Sequence, residues 1–182
     1  MAIRLADAEG ADRVIVEWAA LLHDLDDWKF AGGDELAGAR AARAFLLERG
    51  AEAALAEAVA DIVQRVSFKG AGVPDNMPTL EGQVVQDADR LDALGAVGIA
   101  RVFAYGGHVG SPLHDPTEAP RLHTSFADYK QKRGSSIAHF YEKLLLLRDR
   151  MHTATARQIA AERHVFMETY LERFFQEWEG RA

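Results

Sequence analysis

An all-α fold is what this sequence predicts, and three observations predict it. Apolar residues recur at three- and four-residue steps along most of the chain, the spacing of a single buried helix face. Alternating strand patterns are nearly absent. Two stretches interrupted by proline and glycine, 67–79 and 106 to about 122, read as long loops. At 182 residues and 48 % hydrophobic composition, the chain is long enough to bury one sizeable core without a disulfide or metal staple. The whole chain, 1–182, is therefore read as one helical-bundle domain with two long functional loops, since loops of that length in a compact domain usually carry function.

The elements follow in order. Residues 2–9 read as the tail of a helix that stops at Gly10. Val14, Ile15, Trp18, Leu21, Leu22 and Leu25 then form one face of a second helix. Asp34 stands where an N-cap belongs, with Glu35 in the first turn, and that helix is expected to run to Gly50. Residues 51–66 form an alanine-rich helix with Leu55, Val59, Ile62 and Val66 on one side. Thr79 is placed to cap a helix from Leu80 to about Tyr105, ended by Gly106-Gly107. A helical stretch covers Ile137–Arg150, and Thr153 caps the last helix, which ends before Gly180.

Composition excludes several classes. The 21 basic and 28 acidic residues give a net charge of −7, which argues against binding a nucleic-acid polymer. Without cysteine there is no thiolate metal site, disulfide framework or cysteine nucleophile. Any metal would be held by His, Asp or Glu. No signal peptide or membrane-spanning stretch is visible, so the expected compartment is the cytoplasm.

Two segments carry candidate chemistry. In Leu21-Leu22-His23-Asp24-Leu25-Asp26-Asp27-Trp28-Lys29 an imidazole and a carboxylate are adjacent at the end of an apolar helix. An isolated pair of this kind is most often a solvated helix end where His meets the dipole. In Asp87-Ala88-Asp89-Arg90-Leu91-Asp92 three aspartates sit among apolar and small residues, with Asp89 and Asp92 on one face. Gly95, Ala96 and Gly98 beyond them would admit a close neighbour.

Together these segments resemble the HD-domain superfamily of metal-dependent phosphohydrolases, and more closely its branch of small stand-alone bacterial hydrolases. The resemblance extends through Glu9-Gly10-Ala11-Asp12, Asp27-Trp28-Lys29-Phe30, Ser67-Phe68-Lys69-Gly70, Tyr105-Gly106-Gly107 and His139-Phe140-Tyr141-Glu142. It implies an all-α bundle in which His23 and Asp24 are the metal-binding dyad and Asp89 the distant ligand. It also implies that Asp27, with Asp24, handles the attacking water. Lys29 and Lys69 are candidate phosphate contacts, while Arg90 and Arg101 either meet phosphate or pair with neighbouring aspartates. The cofactor expected is a divalent cation (Mn, Mg, Ni, Co or Fe), and the substrate a small phosphorylated molecule of the nucleotide class. No membrane partner is expected, and a homodimer is compatible with the reading.

There is one departure. The family's first metal ligand is a His on the preceding helix, and no histidine precedes His23. Either the first helix is truncated or the site forms without that ligand. The alternative function is a non-catalytic HD-fold module that binds a ligand or dimerises.

Overall fold

The computed structural model describes residues 1–25, 34–122, 125 and 134–181. Every regular element among them is helical, as the sequence predicts, and none is long and apolar enough to cross a membrane. The chain forms two compact units: Met1–Phe68 with Asp75–Asp89, and Lys69–Pro74 with Arg90–Ala182.

The first unit contains α1 (Ala2–Glu9), α2 (Arg13–Leu22), α3 (Ala37–Glu48), α4 (Ala53–Val66) and α5 (Leu80–Asp92) up to Asp89. Helix α4 packs on both α2 and α3, and α1 on α2. Leu5, Val16, Leu46, Val59 and Ile62 are fully buried in this core. The Asp12 carboxylate accepts from the Val14 and Ile15 amides at 2.8 and 3.3 Å and so starts α2. Its own N–H donates to Glu81 Oε1 in the first turn of α5, at 3.1 Å. Helix α3 begins later than expected. Asp34 accepts from the Leu36 amide at 2.9 Å and pairs with Arg40, closing a turn ahead of the helix, and Leu36 holds the cap position. Thr79 caps α5 as expected, its hydroxyl accepting from Gly82 N at 3.2 Å.

Gln86 fixes α5 to the end of α4. Its amide donates to the carbonyls of Arg65 and Val66 at 3.2 and 3.1 Å. These are among the last carbonyls of α4, which have no partner within their own helix.

The second unit contains α6 (Gly95–Val109), α7 (Ser136–Glu142), two 3-10 turns (Leu144–Leu146 and Arg148–Arg150) and α8 (Ala154–Trp178). Phe103, Phe140, Tyr170 and Phe174 pack ring to ring, with centroids 6.1–6.5 Å apart. Thr153 caps α8 as expected, accepting from Ala156 N at 3.3 Å.

Three further expectations need correction. The helix expected from Leu80 to Tyr105 breaks at Ala93-Leu94, because Gly95 takes φ +72° and packs against the Arg163 side chain. That arginine also donates to the Leu91 carbonyl at the end of α5. Gly106-Gly107 does not stop α6, which runs on to Val109 and ends at Gly110. Gly106 is retained for space, since a Cβ there would lie 2.3 Å from Ser136 Oγ. Finally, the helix expected over 137–150 ends at Glu142, where Lys143 leaves helical geometry, and only 3-10 turns follow.

Candidate functional site

His23 is the residue that closes α2. A helix end leaves its last carbonyls free, and the Ala20 carbonyl lies 2.8 Å from His23 Nδ1. A carbonyl oxygen can only accept, so Nδ1 carries the hydrogen there. The other ring nitrogen, Nε2, then lies 3.3 Å from Asp24 Oδ2 and 3.7 Å from Asp89 Oδ1. Residues i and i+1 diverge on a helix, but His23–Leu25 is a turn beyond its end, where the two side chains can converge.

Burial is graded across the three. The side chains are 23 % exposed for His23, 37 % for Asp89 and 71 % for Asp24. The His23 pKa is pushed up to about 9, chiefly by the Asp89 carboxylate. Partial burial opposes that rise, while Asp24 and the Ala20 carbonyl add to it. In the absence of another cation, the imidazolium itself offsets the two carboxylates.

The other expected residues are distributed as follows. Asp27 and Lys29 lie outside the described residues. Lys69 is half-buried on the loop after α4, within the second unit. Arg101 is exposed and donates to the Asp92 carbonyl at 3.3 Å, a main-chain rather than a carboxylate partner. Arg90 is 2 % exposed. Its guanidinium donates to the Arg150 carbonyl and, at 3.3 Å, to His152 Nε2, so it faces protein and not solvent. Gln86 is a buried polar residue of α5 that the sequence reading does not single out, and Asp87, one of the three aspartates it names, is buried beside it. Their signal is position, since Val84–Ala88 is too apolar a run to leave a side that faces water.

Comparison with known proteins shows the family and the fold. Residues 1–94 match the HD domain family model. The uncharacterized protein YpgQ of Bacillus subtilis is 40 % identical over 168 residues, covering 92 % of this chain and 74 % of YpgQ. A Lactobacillus plantarum crystal structure superposes with TM-score 0.86 at 39 % identity, over 98 % of this chain and 82 % of that one. An HD-superfamily hydrolase from Bacillus thuringiensis superposes at 0.72 with 42 % identity, over 98 % and 81 %. YpgQ has also been crystallised in complex with ADP, and that structure superposes at 0.75 with 38 % identity, over 97 % and 80 %. The chain belongs to the HD-domain family and has the fold of its hydrolases.

HD-superfamily hydrolases are in general divalent-metal dependent, and the donor set here can be tested against that. Ligands about 2.1 Å from one cation lie roughly 3.0–3.4 Å apart when adjacent. The His23–Asp24 separation of 3.3 Å falls in that range, and His23–Asp89 at 3.7 Å is slightly wider. One imidazole and two carboxylates suit a divalent first-row metal. Among the described residues, however, no group of three or more His, Asp or Glu side chains is arranged to hold a metal outright. His23, Asp24 and Asp89 thus have the donor chemistry of a divalent-metal site without forming one outright.

Proposed function

We propose that this chain is a divalent-metal-dependent hydrolase of phosphate anhydride or ester bonds in small molecules, with nucleotides as the substrate class. The observation that carries this reading is the convergence of Asp24 and Asp89 on His23 Nε2, with Nδ1 held by Ala20. The ADP complex of YpgQ supports the choice of nucleotides.

In this reading His23, Asp24 and Asp89 hold the cation. A cation bound there lowers the pKa of coordinated water and polarises a phosphoryl oxygen. Asp24, the most exposed of the three, and Asp27 orient the attacking water and take its proton. Lys29, Lys69 and Arg101 are the proposed contacts that bind the substrate's phosphate groups. The Ala20 carbonyl keeps the His23 ring in one tautomer, so its ligating nitrogen does not have to be reorganised.

The test is phosphate or pyrophosphate release from a nucleotide panel with added manganese, magnesium, nickel or cobalt. His23→Ala and Asp89→Ala should each reduce the rate at least a hundredfold. Equal rates in wild type and both variants would overturn the assignment. One observation favours a non-catalytic, ligand-binding module instead: the ligand set is incomplete among the described residues. Nucleotide binding by calorimetry without turnover under any of these metals would establish that second reading.

A further inference from the structure

The loop after α4, Lys69–Pro74, is tied to the 3-10 turn Arg148–Arg150 by arginines acting in series. Arg150 donates from its guanidinium to the Ala71 carbonyl. The Arg150 carbonyl in turn accepts from the buried guanidinium of Arg90, which also reaches His152 Nε2. Arg157 donates to the next carbonyl, that of Met151, at 3.1 Å. All of these residues belong to the second unit. Burying a guanidinium is costly unless its donors are satisfied, and a rigid fork of donors suits holding separate stretches of main chain in register.

What this holds is the loop that carries Lys69. Gly70 is buried at φ +129°, and one bond from Val73 N to the Gly70 carbonyl, 3.3 Å, closes its turn. Gly72 and Pro74 are exposed. Ala71, the residue that Arg150 grips, lies two positions after Lys69.

We propose that Arg150, seated by Arg90, is a positioning residue for Lys69: it fixes the Lys69–Pro74 loop so that the ammonium is already placed when a substrate phosphate arrives. This rests on the reading of Lys69 as a phosphate contact. Arg90, expected from the sequence to meet phosphate or to pair with neighbouring aspartates, then acts through Arg150 and the loop. Removing the brace should release the loop and weaken phosphate binding while leaving the chemical step nearly intact, because the reacting groups are not moved.

The experiment uses the full chain with ADP as probe, so that it reads the loop whether or not hydrolysis occurs. Lys69→Ala, Arg150→Ala, the double variant and Arg150→Lys are compared. Arg150→Ala should speed amide exchange of the 69–74 peptide at least tenfold while α4 exchanges as in wild type. It should weaken ADP binding five- to tenfold. With a hydrolysable nucleotide it should raise KM by a similar factor and change kcat less than twofold. The double variant should bind ADP no more weakly than Lys69→Ala alone, as two residues acting through one contact must. Arg150→Lys keeps a donor and should recover part of the affinity, and it carries the test if Arg150→Ala fails to fold. Additive losses in the double variant, or unchanged exchange of 69–74, would overturn the proposal. Absence of turnover alongside this ADP pattern would overturn the hydrolase reading and leave this one standing.

Discussion

Gln86 donates its side-chain amide to the carbonyl of Val66 at 3.1 Å, one helical turn before Asp89 on the same helix. A second bond from that amide, to Arg65, makes the attachment bidentate. The helix bearing the distant carboxylate is therefore set by a neutral, buried side chain that takes no part in the chemistry. Gln86→Leu would leave two carbonyls without these partners, at a cost of roughly 1–3 kcal/mol. The urea midpoint should fall accordingly, and manganese affinity should fall with it as Asp89 loses its register. Unchanged affinity in a destabilised variant would show that Asp89 is held by other contacts.

The His23 shift gives a signed pH dependence. Its folded pKa of about 9 lies above the ordinary value of 6.5, so the folded state binds the proton more tightly than the unfolded chain does. In EDTA, the resulting stabilisation is fully present below about pH 6.5 and is lost as pH rises through 9. Urea titrations at pH 6, 7.5 and 9.5 should show wild type losing stability relative to His23→Ala across that window. A constant difference would contradict the shift.

The same proton competes with a cation. Ligation needs a neutral Nε2, so manganese affinity should rise between pH 6.5 and 9, with a proton released on binding. Calorimetry in two buffers of different ionisation enthalpy measures that release directly. Identical apparent enthalpies would mean that His23 is not a ligand.

Asp89→Asn keeps the shape but removes the largest cause of the raised His23 pKa. The imidazole should then titrate well below 9 when followed by NMR. Wild type should gain roughly 2–4 kcal/mol from manganese at a hundred- to thousandfold excess over its dissociation constant. The Asn variant should gain much less, read as a smaller rise in Tm.

Gly95→Ala tests the break between α5 and α6. At φ +72° an alanine costs about 1 kcal/mol or more, and its Cβ would meet Arg163 at 3.0 Å. A fall in Tm of roughly 2–4 °C per kcal/mol is expected for a chain of this size. Gly107→Ala, where nothing lies within 4 Å of the added Cβ, should be neutral or slightly stabilising.

Much of this is legible in the sequence because certain residue types are out of place. A histidine and an aspartate at the end of an apolar helix, and aspartates in a run such as Val84–Leu94, ask for a reason that packing does not supply. Caps at Thr79 and Thr153 are equally plain, since each depends on two or three residues of local sequence. What is hidden depends on distant partners. Ala93-Leu94 has good helix propensity, and only the glycine beyond it, packed on Arg163, ends the helix there. Gly106 looks like a stop until Ser136 is seen against it. Gln86 reads as an ordinary helix polar residue until the carbonyls it holds are located 20 and 21 positions away. Arg90 reads as a phosphate contact or a partner of neighbouring aspartates for the same reason.

The bond between the Asp12 amide and Glu81, at 3.1 Å, joins α2 and α5 at their starts, while His23 and Asp89 approach to 3.7 Å near their ends. The pair behaves like tongs with a pivot at one end and the gripping tips at the other. With arms of roughly 12–16 Å at 1.5 Å per residue, a change in splay of about one degree moves the tips by about 0.3 Å. That is close to the difference between magnesium–oxygen and calcium–oxygen distances. If the pair holds a cation as proposed, the stiffness of the pivot, and not the identity of the tips alone, would govern which cation size it accepts.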